Sequence, residues 1–511
     1  MVHDTEAVAS TIIANPLSGI GEAEALVLSY AALMGKEFDF LVLSTATEIT
    51  EEPLAEILEN LVHRGILKEL KEGDSFAFVR METFVQVYRD IASSRLTEIH
   101  KKIAKAYEKL YPEPPPDLVP EMGRHFHLGG VHEKALLYNR YAAKLAMNAL
   151  SPDLAIRYLE RALANLLALP GDHRVEDAEV LKEIGEQHSA MGEYIRADVL
   201  YGESLKKLPE WEVTLRALLL LSRADAARLL DRPRLARQYC DEAIWLLEKM
   251  GHKKGLALAH RILGRVAYNE GQFEVERREI EITLGFLDPE KDAKDVARCY
   301  IEYGNVHSMM PSPAEQAKAI EYYRKAIQSL EPLQDYHELA RAHHNIAISM
   351  GVSAQPREAL KELKEARNYA EKGKDKHWMG WALFNSVELH LALGEYLEAA
   401  QNNVEARRIL SNLNDPMGLQ QITLNDGILA QYRKSYEESE RAYMEALRLA
   451  ENLGYPPNKT EVLLHMAMMY SEWGRKNQAI RAISRIKEVG EDHVFSMSRA
   501  AYENLKKLLG V

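Results

Sequence analysis

The chain has 511 residues, 47% hydrophobic and 28% charged, a globular balance too long for one compact core, so several domains or a repeat array are expected. Its formal net charge of −13 argues against broad nonspecific nucleic-acid binding, which draws on Lys and Arg contacts to phosphate. With only Cys240 and Cys299, a disulfide framework and a cysteine-based metal site are excluded.

From the N-terminus, MVHDTEAVAS has neither the basic nor the apolar region of a secretory signal. Residues 1–20 read as a polar lead-in. EAEALVLSYAALMG (22–35), FDFLVLSTAT (38–47) and EEPLAEILENLVHRG (51–65) read as helices, and ILKELKEGDSFAFV alternates about Glu72-Gly73-Asp74 as a β-hairpin. Three helices and a hairpin predict a small winged-helix domain over 21–80. Its third helix carries Glu51, Glu52, Glu56 and Glu59 against one Arg64, a charge that phosphates repel. Contacts with protein, within the chain or outside it, are expected there, and direct DNA binding is not.

Residues 81–173 read as a helical connector. A helix at 89–109 presents Arg89, Arg95, His100, Lys101, Lys102, Lys105 and Lys109, either as a solvated face or as a contact for an acidic partner or a nucleotide-bearing module. His125 and His127 point to different helical faces, and neither they nor His132 are followed by a carboxylate or Cys at ligand spacing, so packing or capping is expected rather than metal. Further on, LRALLLL (215–221) is the densest apolar run, well short of the roughly 18 to 20 residues of a membrane span. A soluble, cytoplasmic protein without membrane association is expected.

In MGEYIRADVLYGESLKKLP (191–209), Gly192 ends one helix, Ala197, Tyr201 and Ser204 form one stripe of the next, and Pro209 closes it. The small position recurs as Ala197, Ala236, Glu276, Ala319, Ala359, Ala399, Ser439 and Ala479, at intervals of 39, 40, 43, 40, 40, 40 and 40 residues. Seven residues later stand Ser204, Ala243, Thr283, Ala326, Ala366, Ala406, Ala446 and Ile486. A beat this regular marks a helical repeat over 174–490, about eight hairpins. Glu276 and Thr283 break its small-residue rule, and MMPSPAEQ inserts about three residues. Residues 491–511 read as a capping helix.

GEYLEAAQNNVEA (394–406) and SYEESERAYMEA (435–446) carry the clearest Gly/Tyr/small/small pattern. The array resembles tetratricopeptide (TPR) repeats, in the longer-helix variants of bacterial and archaeal regulators. The resemblance implies an all-α, right-handed α-solenoid whose first helices line a concave groove. YAALMGKEFDF (30–40), LENLVHRGILKEL (58–70), residues 78–110 and HFHLGGVHEKALLYNRYAAKLA (125–146) resemble the segment behind the nucleotide-binding module of STAND-type signal-transduction ATPases, such as the maltose-regulon activator. In that family a winged helix joins an ATPase to a TPR-like sensor. The phosphate loop G-x-x-x-x-G-K-S/T is missing: Gly35-Lys36 and Gly373-Lys374 lack its other residues. Met1 and the polar lead-in favour a free-standing relative over the C-terminal part of a longer ATPase.

No nucleophile elbow G-x-S-x-G occurs, so neither an enzyme nor a cofactor is expected. His343-His344 cannot both face one ligand, Cys240 falls on the core stripe, and the Met-rich runs read as core filler. The groove carries the functional expectation. Arg261, Arg265, Tyr268 and Asn269, then Arg298 and Asn305, then Arg341 and His344 are the inward positions of three first helices, and Arg forks and amides clamp carboxylates or peptide backbone. Trp381, Phe384, Leu424, Ile428, Leu464 and Met468 stand at corresponding places later, as an apolar partner surface or a tighter packed end. The expected function is a noncatalytic sensor or scaffold that binds a protein or peptide in this groove, in signalling or regulation. A winged-helix transcription regulator and a sensor subunit for a separate ATPase are the alternatives, and a homodimer stays open.

Overall fold

A computed structural model describes residues 17–511 except 72–73, 150, 311, 354, 414, 455 and 495–497. Most of the lead-in and the turn residues Glu72 and Gly73 therefore lie outside the described residues. The chain divides into two compact units, residues up to 246 and residues 247–511.

The first unit opens with α1 (Glu22–Met34), β1 (Glu37–Asp39), α2 (Phe40–Thr47), α3 (Glu51–His63), β2 (Leu67–Lys71) and β3 (Ser75–Phe78). The three expected helices and the hairpin strands are present. A short strand is added: β1 pairs antiparallel with β3, giving the order β1-β3-β2. Phe38 forms it by turning inward against Phe76 and Phe78. Asp39 then caps α2, its carboxylate accepting from the Val42 N–H at 2.9 Å, so α2 starts two residues later than the sequence pattern suggests. The single basic helix expected at 89–109 is two helices, α4 (Met81–Asp90) and α5 (Ser93–Leu110), parted by extended backbone at Ile91, which turns its side chain toward the core. His100 is buried too and is not part of a basic face.

There follow α6 (Val119–Leu128), α7 (His132–Asn148), α8 (Pro152–Leu167), α9 (Arg174–Ala190), α10 (Tyr194–Lys207), α11 (Val213–Leu229) and α12 (Pro233–Met250). Helices α7 and α8 already form a hairpin, and Ile156 and Leu159 pack with Val180 and Ile184 of α9. Paired packing thus begins before residue 174, and the boundary between units falls inside α12.

The second unit runs through α13 (Lys253–Asn269), α14 (Phe273–Phe286), α15 (Ala293–Ser308), α16 (Pro313–Leu330), α17 (Tyr336–Val352), α18 (Pro356–Lys372), α19 (Lys376–Ala392), α20 (Tyr396–Asn412), α21 (Pro416–Tyr432), α22 (Tyr436–Leu453), α23 (Pro456–Glu472) and α24 (Lys476–Val489). Helix α25 (Arg499–Leu509) seals the last pair by burying Tyr502, Leu505 and Leu509. Both eight-membered rows of repeat positions, the small residues and those seven later, are buried throughout. First helices of successive hairpins touch (α15 with α17, α17 with α19, α19 with α21, α21 with α23), and among the described residues no pair of second helices in this unit approaches as closely. The first helices therefore lie on the inner side of this unit.

Each hairpin is locked by size complementarity. Where the second helix carries a buried tyrosine, the facing first-helix residue is glycine: Gly185 with Tyr201, Gly304 with Tyr323, Gly427 with Tyr443. A Cβ at Gly304 or Gly427 would lie 2.3 Å from the ring. Leu363, Asn403 and Ile483 hold the tyrosine position where the first helix has Ala347, Val387 and Ala467. The oversized Glu276 follows the same logic: Gly264 faces it, and a Cβ there would meet Glu279 Cβ at 3.2 Å and Glu276 Cγ at 3.8 Å.

Candidate functional site

The inner helices are held in register by a recurring strap. In α13, α15, α17 and α19 the residue two after the cap reaches the acidic cap of the next first helix: Lys254 to Asp292 (2.6 Å), Lys294 to Asp335 (2.5 Å), His337 to Asp375 (2.6 Å) and, more loosely, His377 to Asp415 (3.7 Å). Asp335, Asp375 and Asp415 also accept from their own helix's third N–H, so each carboxylate ends one helix and ties it to its neighbour. Burial pushes Asp375 up, but the bonds from His337 and the Trp378 N–H outweigh it and hold its carboxyl below the ordinary range. The same hydrogen bond raises His337 above the ordinary histidine value.

On this scaffold α13, α15, α16, α17 and α19 enclose a cleft of about 350 Å³. Tyr268, Tyr323 and Trp378 supply rings, Ile348 an apolar wall, and Asn305, Ser308, Asn345 and Arg341 polar groups. Asn305 Oδ1 accepts from Tyr323 Oη (2.9 Å) and Asn345 Nδ2 (3.0 Å). Its own NH2 is left without a protein acceptor among the described residues, and Trp378 Nε1 is a buried donor without a partner. The amide row continues along the unit: Asn385 bonds His344 Nε2 at 2.7 Å, and Asn425 donates to the Phe384 carbonyl at 3.2 Å.

Three glutamates lie among the arginines. Glu338 accepts from Arg298 Nε (2.8 Å) and pairs with Arg341 (3.0 Å). Burial pushes its carboxyl up, but the two guanidinium groups outweigh that and hold it below the ordinary range. Glu302 sits in the field of Arg261, Arg265 and Arg341, and burial nevertheless raises it. Burial, reinforced by Glu302, pushes Glu276 up to about 8, so it is largely protonated at neutral pH.

The expected groove residues thus separate. Tyr268, Asn305 and Arg341 share the cleft. Arg261 and Arg265 attend Glu302 beside it, and Arg298 is committed to Glu338 and Asp295. His344 is buried beside Trp378, and burial lowers it to about 4, so it is neutral. Asn269 is exposed at the end of α13. Sequence reasoning missed Asn345, Tyr323, Trp378 and the glutamates. Two signals were available: Asn345, Asn385 and Asn425 recur at 40 residues, and Glu338 stands three before Arg341 on the same helical face.

Elsewhere the structure settles smaller questions. His125 is buried with its Nδ1 3.0 Å from His100 Nδ1, while His127 and His132 both bond Asn165. His343 pairs with Glu362, away from its neighbour. Cys240 is buried, and so are Leu424 and Leu464. Trp381, Phe384, Ile428 and Met468 pack partly buried against core clusters, so these inner positions form a packed end and not an open apolar surface. Among the described residues no His, Cys, Asp and Glu group has the makings of a metal site, and no helix is long and apolar enough to cross a membrane.

Paired helices, a 40-residue beat and the glycine–tyrosine interlock define a helical-repeat protein of tetratricopeptide-like form. No family model matches the chain, and no curated protein is similar to it in sequence. Among solved structures it is similar to a STAND protein with a tetratricopeptide repeat sensor from Pyrococcus horikoshii (15% identity, 85% of this chain and 64% of that one, TM-score 0.45). It thus spans less than two thirds of that protein. It is also similar to aspartyl phosphate phosphatase F from Bacillus subtilis (15%, 70% and 92%, 0.48) and the apo quorum sensor NprR from B. thuringiensis (16%, 70% and 96%, 0.48). At such identity and overlap, what those proteins do stays with them.

Proposed function

We propose that this protein is a noncatalytic sensor or scaffold that binds a peptide, or an extended segment of a partner protein, on the inner face of its second unit. The observation that carries this is the cleft of about 350 Å³, where successive first helices bring an amide, a guanidinium and aromatic rings to one place. Amide and guanidinium donors match the carbonyls of an extended backbone, which has no intramolecular partners of its own, and rings supply contact area at low entropic cost. Because Glu338 already engages Arg298 and Arg341, the arginines act mainly as preorganised supports, and Tyr268, Asn305 and Asn345 bear most of the recognition. We read the N-terminal module as a winged-helix element for protein contacts, since Glu51, Glu52, Glu56 and Glu59 are all exposed on α3.

Selection of a displayed random-peptide library on the intact protein tests the reading. Selected peptides should lose at least tenfold in affinity for Tyr268→Ala and Asn305→Ala variants with unchanged circular dichroism, and keep it for Gly285→Ala, which is remote from the cleft. Peptides that bind all forms alike would place the site elsewhere.

A further inference from the structure

The outer face of the same unit carries a second surface. Arg357, Lys361 and Lys364 stand at i, i+4 and i+7 on α18, so they form one stripe. None of the three has an ion-pair partner among the described residues, whereas their neighbour Arg367 is tied to Glu371 and Glu405. The stripe overhangs a cleft of about 460 Å³ between α18 and α20, floored by Leu360, Leu363, Ala382 and Leu383. One repeat later, the places of Arg357 and Lys364 are taken by Leu397 and Val404 on α20, 63% and 70% exposed. No other second helix of the array has three cations at these positions. A cationic stripe on α18 and an exposed apolar stripe on α20 therefore lie on the second helices of successive hairpins, which both line this cleft and both pack on α19.

We propose that this face docks an acidic amphipathic helix of a partner protein. Laid along α20, such a helix would set apolar side chains on Leu397 and Val404, while carboxylates along one flank would meet Arg357, Lys361 and Lys364. The cations recur about once per turn, which another helix matches at i, i+4 and i+7. Desolvating unpaired cations is unfavourable unless carboxylates replace the lost water, so the stripe selects the charge of the occupant. Exposed Glu358 and Glu398 border the patch and disfavour a uniformly anionic surface. The chain's net charge of −13 opposes an anionic membrane as well, which favours a protein helix.

The test uses the full chain and two synthetic 18-residue helical probes, each with one leucine face, flanked by glutamates in one and by lysines in the other. Fluorescence anisotropy should show the glutamate probe binding the native protein at least tenfold more tightly than the lysine probe, with affinity falling as salt rises. Arg357→Glu/Lys361→Glu/Lys364→Glu should reverse that preference, and Leu397→Ser/Val404→Ser should weaken both probes. These side chains are exposed, so both variants should keep the native melting temperature. Asn305→Ala should change nothing, which separates this surface from the inner cleft. Equal binding of the two probes, or binding that survives both multiple variants, overturns the proposal. So does pelleting with phosphatidylserine vesicles in the absence of glutamate-probe binding, which would assign the face to a membrane.

Discussion

At residue 304 a single hydrogen in place of a methyl group determines whether a hairpin can close. The Tyr323 ring lies 2.3 Å from where a Cβ would stand, closer than two carbons can approach, so Gly304→Ala must displace a fully buried aromatic side chain. We expect a loss of about 1–3 kcal/mol, read as a lower urea midpoint. Gly285 sits in a helix with nothing near its Cβ position, so Gly285→Ala should gain about 0.5 kcal/mol. Glu276 gives a prediction with the sign set by pH. Burial and Glu302 raise it to about 8, above the ordinary 4.3 or so of an unfolded chain. Its contribution is fully present below that unfolded value and is lost as pH climbs toward 8. Glu276→Gln should therefore match the native protein in urea melts at pH 4 and exceed it at pH 8.5 by about 1–3 kcal/mol.

At the scale of elements, the straps joining first helices differ in one chemical respect. Two of them end in a lysine, Lys254 and Lys294, whereas another ends in His337, which its bond to Asp375 raises above the ordinary histidine value. A raised histidine stabilises below its unfolded pKa and loses that contribution as pH rises through the folded one. His337→Lys should thus be neutral at pH 5.5 and raise the melting temperature at pH 8.5. Trp378 lies against His337, so its fluorescence reports the strap directly. A variant indistinguishable from the native chain at both pH values would show that the strap contributes nothing.

For the molecule as a whole, acid should act first on the N-terminal part of the first unit. Burial, with the charge of Arg124 added, lowers His100 to about 4 and His125 to about 2. Both are neutral in the fold, and one donates to the other at 3.0 Å. Their contribution is complete above about 6.5 and drains away as pH falls toward the folded values, because the unfolded chain takes up protons that the fold refuses. Hydrogen exchange, corrected for its intrinsic pH dependence, should rise between pH 7 and pH 5 in α5 and α6 before it rises in α9 and α10. Equal responses would mean that the histidine pair does not set acid stability.

Length, the 40-residue beat and the glycine, tyrosine and alanine positions were enough to determine the hairpins, their number from residue 174 onward and the identity of their buried rows. That pattern is local: helical periodicity and side-chain size are properties of neighbours three, four and seven apart. The break between α4 and α5, the strand β1 and the hairpin α7–α8 were less legible, because each depends on where Ile91, Phe38 or Ile156 finds a distant core. In the candidate site, Arg261, Arg265, Arg298 and Arg341 were visible as charges, but a sequence does not say which carboxylate each will meet. Glu338, from the same helix as Arg341 and the next hairpin after Arg298, neutralises two of them, and only the stacking of hairpins brings it there. Tyr268, Asn305 and Asn345 share a cleft for the same reason: they come from the first helices of three successive hairpins, near 40 residues apart in sequence, and only stacking of the hairpins gathers them.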